Sequence, residues 1–176
     1  MSEYLLSNDW FDVGARGIWD NLMPQLKPER ILEVGSYEGA ATCYLVDKLA
    51  PERDLEIHCV DSWEGGIEHK AGGSAESDMR SVEERFRHNV SLAVSKAMTR
   101  VEVKVHKGLS DQCLSELIGQ GKKGYFDFMW SEQLPTGVDL VRCPKPAIDA
   151  FINLYIRKLT ICPLGLYQLY VQKKSD

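Results

Sequence analysis

No run of apolar residues in this chain is long enough to cross a bilayer, which excludes a helical membrane span. The opening residues, MSEYLLSNDWFD, carry acids and no basic segment leading into a long apolar core. No secretory leader is therefore expected, and the chain is read as cytoplasmic. An excess of positive charge is missing too: 21 Lys and Arg stand against 26 Asp and Glu, a net charge of −5. Phosphate contacts need clustered cations, so nucleic acid is a disfavoured partner. The five cysteines, Cys43, Cys59, Cys113, Cys143 and Cys162, contain no C-x-x-C pair. Their odd number and apolar surroundings read as buried, reduced thiols, and their spacing suggests no metal site. Internal repeats, linkers and low-complexity segments are absent as well.

What is present is the composition of a globular protein, 44% hydrophobic and 27% charged. A length of 176 residues fits one domain, residues 1–176, with a substantial core. The chain is organised around Arg30 to Asp61. A short apolar run, Ile31-Leu32-Glu33-Val34, leads into a glycine-bounded turn, Gly35-Ser36-Tyr37-Glu38-Gly39. A helical pattern follows, with Ala40, Ala41, Tyr44, Leu45 and Leu49 apolar, and Ile57-His58-Cys59-Val60 ends at Asp61. This is strand, glycine loop, helix, strand, with a ligand crevice expected at the carboxyl ends of the strands.

The parts have distinct physical uses. Gly35 and Gly39 permit a tight turn and close approach of backbone to ligand. The free N–H groups at the helix start form a positive rim. Asp61 stands where a ribose diol finds its acceptor. A dinucleotide loop has the pattern G-x-G-x-x-G. Here Tyr37 occupies the place of the middle glycine and would crowd a pyrophosphate, and Glu33 would oppose a phosphate and attract a cation. The segment E-V-G-S-Y-E-G resembles the first motif of the class I S-adenosylmethionine-dependent methyltransferases. D-S-W-E-G-G-I-E-H from Asp61 and K-P-A-I-D-A-F from Lys145 are similar to the small-molecule O-methyltransferase-like branch. The resemblance implies S-adenosylmethionine as cofactor and a small-molecule acceptor. It implies Glu33, Gly35, Ser36, Tyr37, Gly39, Asp61, Ser62 and Trp63 as cofactor neighbours, joined by Gly108 and Ser110 after the third strand.

Elsewhere, Asn8 or Asp9 is expected to cap a helix running to about Leu26, with Phe11, Ile18, Leu22 and Trp19 on its buried face. A polar, flexible loop after Asp61 carries His69, a candidate general base. A helix is expected from Ser77 to about Ala97, capped by Ser77 or Ser81, then a strand at Val101, Val103 and Val105, and a helix from Asp111 to Ile118. Phe126-Asp127-Phe128-Met129-Trp130 is the fourth strand and resembles the family's F-D-F-I-Y-I-D-G-S-H. Glu132 stands at the family's aspartate and is the second candidate on the acceptor side; no metal is assigned there. A helix from Lys145 to about Tyr155 and an antiparallel pair, Leu159 to Cys162 and Leu166 to Val171, close the chain.

The expected fold is α/β: a Rossmann-like methyltransferase fold, a mostly parallel sheet with helices on both faces and an antiparallel C-terminal hairpin. One defect stands out. Only fourteen residues, Ser131 to Pro144, lie between Trp130 and Lys145, too few for a crossover helix and a fifth parallel strand. The region 132–144 is either short in the protein or incomplete in the sequence. We expect the second, with a further strand between the fourth strand and the hairpin. The function read from the sequence is O-methylation of a small molecule by an S-adenosylmethionine-dependent enzyme. A non-catalytic cofactor-binding or partner subunit and an NAD-type oxidoreductase are the alternatives, and a homo-oligomer is left open.

Overall fold

The computed structural model describes residues 3–66, 69–132, 159–162 and 168–173. Six strands form one sheet: β1 (Arg30–Val34), β2 (Leu55–Asp61), β3 (Val101–Lys107), β4 (Phe128–Glu132), β5 (Leu159–Cys162) and β6 (Gln168–Lys173), in the order β3-β2-β1-β4-β6-β5. The first four are parallel. β6 runs antiparallel to β4, and β5 antiparallel to β6.

β1 is apolar on both sides because both of its faces are covered. One face carries Ile31, Ile57, Phe128 and Trp130 beneath the helices α1 (Gly17–Leu26), α2 (Ala40–Leu49) and α3 (Met79–Lys96). The other carries Leu32, Val34, Val60 and Met129 beneath α4 (Ser110–Gly119). Strands buried on both faces read as continuous apolar runs, which is the pattern of a parallel sheet. β3 is the sheet's edge, and its residues are half-buried to exposed. On the α4 side the sheet carries a polar cluster. His58 accepts or donates to His106 at 2.9 Å and meets Glu56 at 2.8 Å, and Lys104 donates to Glu56 at 2.7 Å.

The expected helix starts need correction. A π-helical turn, Asp12–Arg16, precedes α1. Asn8 does accept from the Trp10 N–H, at 3.1 Å. The buried spine is Phe11, Ala15, Trp19 and Met23, and Ile18 and Leu22 are only partly buried. The spine falls at every fourth residue, a spacing set by the wider π turn at its start. Trp19 is its centre, with the rings of Phe11, Tyr44, Phe128 and Trp130 at 5.1–5.9 Å. α3 is capped by Asp78 rather than Ser77 or Ser81: its carboxylate accepts from the Arg80 N–H at 3.2 Å and the Ser81 hydroxyl at 2.6 Å. A carboxylate outcompetes a hydroxyl there because it also meets the positive helix end.

Among the described residues no further strand stands between β4 and the hairpin. β6 pairs with β4 directly, from Phe128 opposite Gln172 to Glu132 opposite Gln168. The inner edge of β4 would otherwise present unpaired N–H and C=O groups, and β6 supplies their partners. The stretch 133–158, with the expected helix from Lys145, lies outside the described residues.

Candidate functional site

The site begins where β1 ends. Gly35 (φ +87°) and Gly39 (φ +80°) both take left-handed backbone, for different reasons. A Cβ on Gly35 meets nothing within 4 Å, so the turn leaves open space over the strand end. A Cβ on Gly39 would stand 3.0 Å from Phe86 Cδ2 and 3.2 Å from Val90 Cγ2, so this glycine lets α2 approach α3. Gly39→Ala is expected to cost about 2–4 kcal/mol, combining left-handed strain with overpacking. Gly35→Ala should cost only the strain, about 1–2 kcal/mol. Urea melts of the two variants test the split; equal losses would remove the α2–α3 argument.

Asp61 closes the loop. Its Oδ2 accepts from the backbone N–H groups of Ser36 (2.8 Å) and Tyr37 (2.9 Å), and its Oδ1 from Trp63 N–H (2.8 Å). Tyr37 is held at φ +48° in this turn. Trp63 is 5% exposed, packs on Phe86 with ring centroids 4.9 Å apart, and donates from Nε1 to the Tyr37 carbonyl at 2.9 Å. It supports the loop from the core and lines neither of the cavities described below. Ser62 accepts from the Glu64 N–H at 3.2 Å. Gly108 donates its N–H to the Asp61 carbonyl at 3.0 Å, and Ser110 starts α4; both are half-buried and line neither cavity.

Glu33 is 1% exposed. Its Oε2 accepts from Ser36 Oγ (3.1 Å), Cys59 Sγ (3.5 Å) and Thr42 Oγ1. Its Oε1 has no hydrogen-bond partner among the described residues. Burial pushes the carboxyl up to about 7, against the pull of the Thr42, Cys59 and Ser36 hydrogen bonds and with a push from the Asp61 charge. In register on the adjacent strand stands Trp130, 4% exposed, whose Nε1 also lacks a partner among the described residues. Both residues line a narrow pocket of about 40 Å³, walled on the outside by Leu6, Asn8, Trp10 and Phe11. Buried polar atoms are almost always paired, so two orphans on residues that line one pocket mark a place for a ligand's polar groups.

The wall belongs to an N-terminal strap that sequence reasoning missed. Glu38, 2% exposed, accepts from Ser7 N (2.7 Å), Ser7 Oγ (2.6 Å) and Arg85 Nε (2.6 Å). Asn89 accepts from Leu5 N at 2.7 Å and donates to the Leu5 carbonyl at 3.0 Å. One signal was available: Asn89 is a polar residue inside the apolar stripe of α3 and is fully buried. Outside the strap lies a larger cleft of about 470 Å³, which shares Asn8, Trp10 and Tyr37 with the narrow pocket. The ring of His69 stacks on Tyr37 at 5.4 Å, and its Nδ1 donates to the Ala75 carbonyl at 2.9 Å. His69 lies behind that wall and lines neither cavity. The loop around it is folded on itself, with Ser77 N–H on the His69 carbonyl and Gly72 N–H on Glu76. Glu132 ends β4, and its side chain lies outside the described residues. Among the described residues, no group of three or more His, Cys, Asp and Glu side chains converges as a metal site.

A family model described as a methyltransferase domain matches residues 32–141, from β1 past the end of β4. No curated protein matches the sequence. Among solved structures, one from Klebsiella pneumoniae assigned as an O-methyltransferase is 14% identical, with 99% of this chain and 84% of that chain covered and a TM-score of 0.51. The O-methyltransferase NovP is 15% identical, with 91% and 78% covered and a TM-score of 0.50. Cofactor-bound Rv0187 from MTB is 12% identical, with 100% and 84% covered and a TM-score of 0.50. At these identities the likeness is one of fold.

Proposed function

The chain belongs to the methyltransferase-domain family, and on that premise we propose that it transfers a methyl group from S-adenosylmethionine to a hydroxyl of a small-molecule acceptor. The observation that carries the cofactor is the unpaired Oε1 of buried Glu33 at the end of β1. S-adenosylmethionine is cationic at its sulfonium and ammonium and has no phosphate, so an acidic loop suits it where a dinucleotide would be repelled. Glu33 would hold the ammonium, the Ser36 to Gly39 loop the methionine part, and Asp61 the ribose hydroxyls, with Gly108 and Ser110 near the base. Trp130 Nε1 supplies a donor from the neighbouring strand. Small-molecule sites measure roughly 300–1,000 Å³. Binding therefore requires Leu6, Asn8 and Trp10 to draw back from the narrow pocket.

When bound, the cofactor supplies an electrophilic methyl group for in-line displacement by the acceptor oxygen. The chain's own work is to position the two partners and exclude water, the larger part of catalysis in such transfers. His69 is our candidate for removing the acceptor's proton, since its ring stacks on Tyr37, a residue that walls both cavities. Glu132, at the end of β4, is the candidate on the acceptor side. The net charge of −5 disfavours a nucleic-acid acceptor. No helix among the described residues is long and apolar enough to cross a membrane. The free, buried thiols of Cys43, Cys59 and Cys113 suit a reducing compartment such as the cytoplasm.

Thermal shift separates this reading from a dinucleotide enzyme. S-adenosylmethionine and S-adenosylhomocysteine are expected to raise the melting temperature, since a ligand of the native state stabilises it by mass action. NAD and NADP are expected to leave it unchanged. Stabilisation by a dinucleotide alone defeats the proposal.

A further inference from the structure

We propose that the cleft outside the strap is the acceptor's docking site and that it takes an uncharged ring bearing several hydroxyls. This rests on the methyl-transfer reading above and adds the class of acceptor. The cleft's volume, about 470 Å³, falls in the range of small-molecule sites. One wall is aromatic: Trp10 and Tyr37 stand 5.2 Å apart, with ring planes tilted by 36°. Trp10 is 39% exposed, far more than an indole needs to be if its only role is packing. Such a wall offers an apolar face to the C–H side of a ring, and its polar surroundings must then satisfy what the ring carries at its edge.

Those surroundings have unspent capacity of both kinds. The terminal amino groups of Arg85 and the side-chain amide of Asn8 have no partner among the described residues, so they are donors. The Ser81 hydroxyl donates to Asp78 at 2.6 Å and keeps its own lone pairs as acceptors. A hydroxyl both donates and accepts, and is the group that uses such a mixture. Formal charge points the same way. Glu76 and Asp78 line the cleft with Arg85 as the single cation, and Arg85 already faces Glu38 at 2.6 Å. An anionic ligand would therefore meet more acid than base. The position suits an acceptor because Asn8, Trp10 and Tyr37 wall both this cleft and the pocket over Glu33. A ring docked here lies one side chain away from the donor pocket and reaches it as the strap draws back.

The test is a titration of the full chain with methyl α-D-glucopyranoside, followed by calorimetry and tryptophan fluorescence. Trp19, Trp63 and Trp130 are 0%, 5% and 4% exposed, so the solvent-sensitive emission comes from Trp10. Saturable heat with a matching fluorescence change is expected. Trp10→Phe should abolish the optical change and keep the heat. Ser81→Ala, checked for folding by circular dichroism, should weaken binding about three- to tenfold. Glucuronate, the anionic counterpart, should bind about tenfold more weakly or worse. Absence of saturable heat, equal affinity for glucuronate, or an unchanged affinity in Ser81→Ala overturns the inference. S-adenosylhomocysteine affinity is measured on the same samples. If that ligand binds and the glycoside does not, the cleft assignment fails and the cofactor reading stands. If the glycoside binds and S-adenosylhomocysteine does not, the cleft is a ring-binding site and the acceptor role proposed for it falls.

Discussion

Glu33→Gln is expected to make the protein more stable above neutral pH and, in the same variant, to weaken S-adenosylmethionine binding about tenfold or more. Both effects follow from the buried carboxyl. In the unfolded chain it loses its proton near its ordinary value of 4.5, whereas in the folded chain burial holds the proton to about 7. Between those values the folded state binds more protons than the unfolded one. Stability therefore falls as pH rises through the window, and the whole cost is present above it. Glutamine is nearly the same shape and does not titrate. Its oxygen can accept from Ser36 and Thr42 as Glu33 does, and its amide can face the pocket. The difference in melting temperature, variant minus wild type, should grow from pH 5 to pH 8. Affinity moves the other way because the cofactor's ammonium meets an amide where it met a carboxylate. Hydrogen bonds to charged groups are worth about 1.5–3 kcal/mol, which sets the expected loss. Parallel melting curves across that pH range would show that Glu33 does not titrate there. Unchanged calorimetric affinity would take it out of the site.

A residue that costs stability and contributes binding is what a site looks like from the energetics, and in this chain part of it is legible in the sequence. The apolar run before Gly35, the helical spacing after Gly39 and the apolar run ending at Asp61 give β1, α2 and β2, because burial on both sheet faces leaves a periodic trace. Glu33 and Asp61 were visible as acids at two strand ends. What Asp61 does was not visible. Its bonds to Ser36, Tyr37 and Trp63 depend on where three backbone N–H groups point after folding. The strap was hidden for a similar reason. Ser7, Glu38, Arg85 and Asn89 are far apart in sequence, and no local period links them. The role of Trp63 could not be decided from its place after β2, since a tryptophan there serves equally as a pocket wall or as core. The direct pairing of β6 with β4 was not legible, because pairing between distant strands is not encoded in any one segment.

The three bonds to Asp61 make it the residue whose loss should do most to the loop. Asp61→Ala leaves the Ser36 and Tyr37 N–H groups without their acceptor, and Tyr37 sits at φ +48°, a backbone state that needs outside support. The side chain is half-buried, so water offsets part of the loss, and about 2–3 kcal/mol of stability should go. Cofactor affinity should fall about tenfold or more, through a loosened loop and a missing ribose acceptor. The alanine variant alone cannot separate these two causes; Asp61→Asn can. The asparagine oxygen can still accept from the Ser36 and Tyr37 N–H groups, so part of the stability should return, while its NH2 faces the Trp63 N–H and cannot accept from it. An amide has one acceptor oxygen in place of two and no charge, so a ribose that depends on Asp61 gains little from the exchange. Partly recovered stability with affinity still down about tenfold assigns Asp61 both jobs. Recovery of affinity to its wild-type value as well would mean that Asp61 only pins the glycine loop to the end of β2, and that the ribose is held elsewhere.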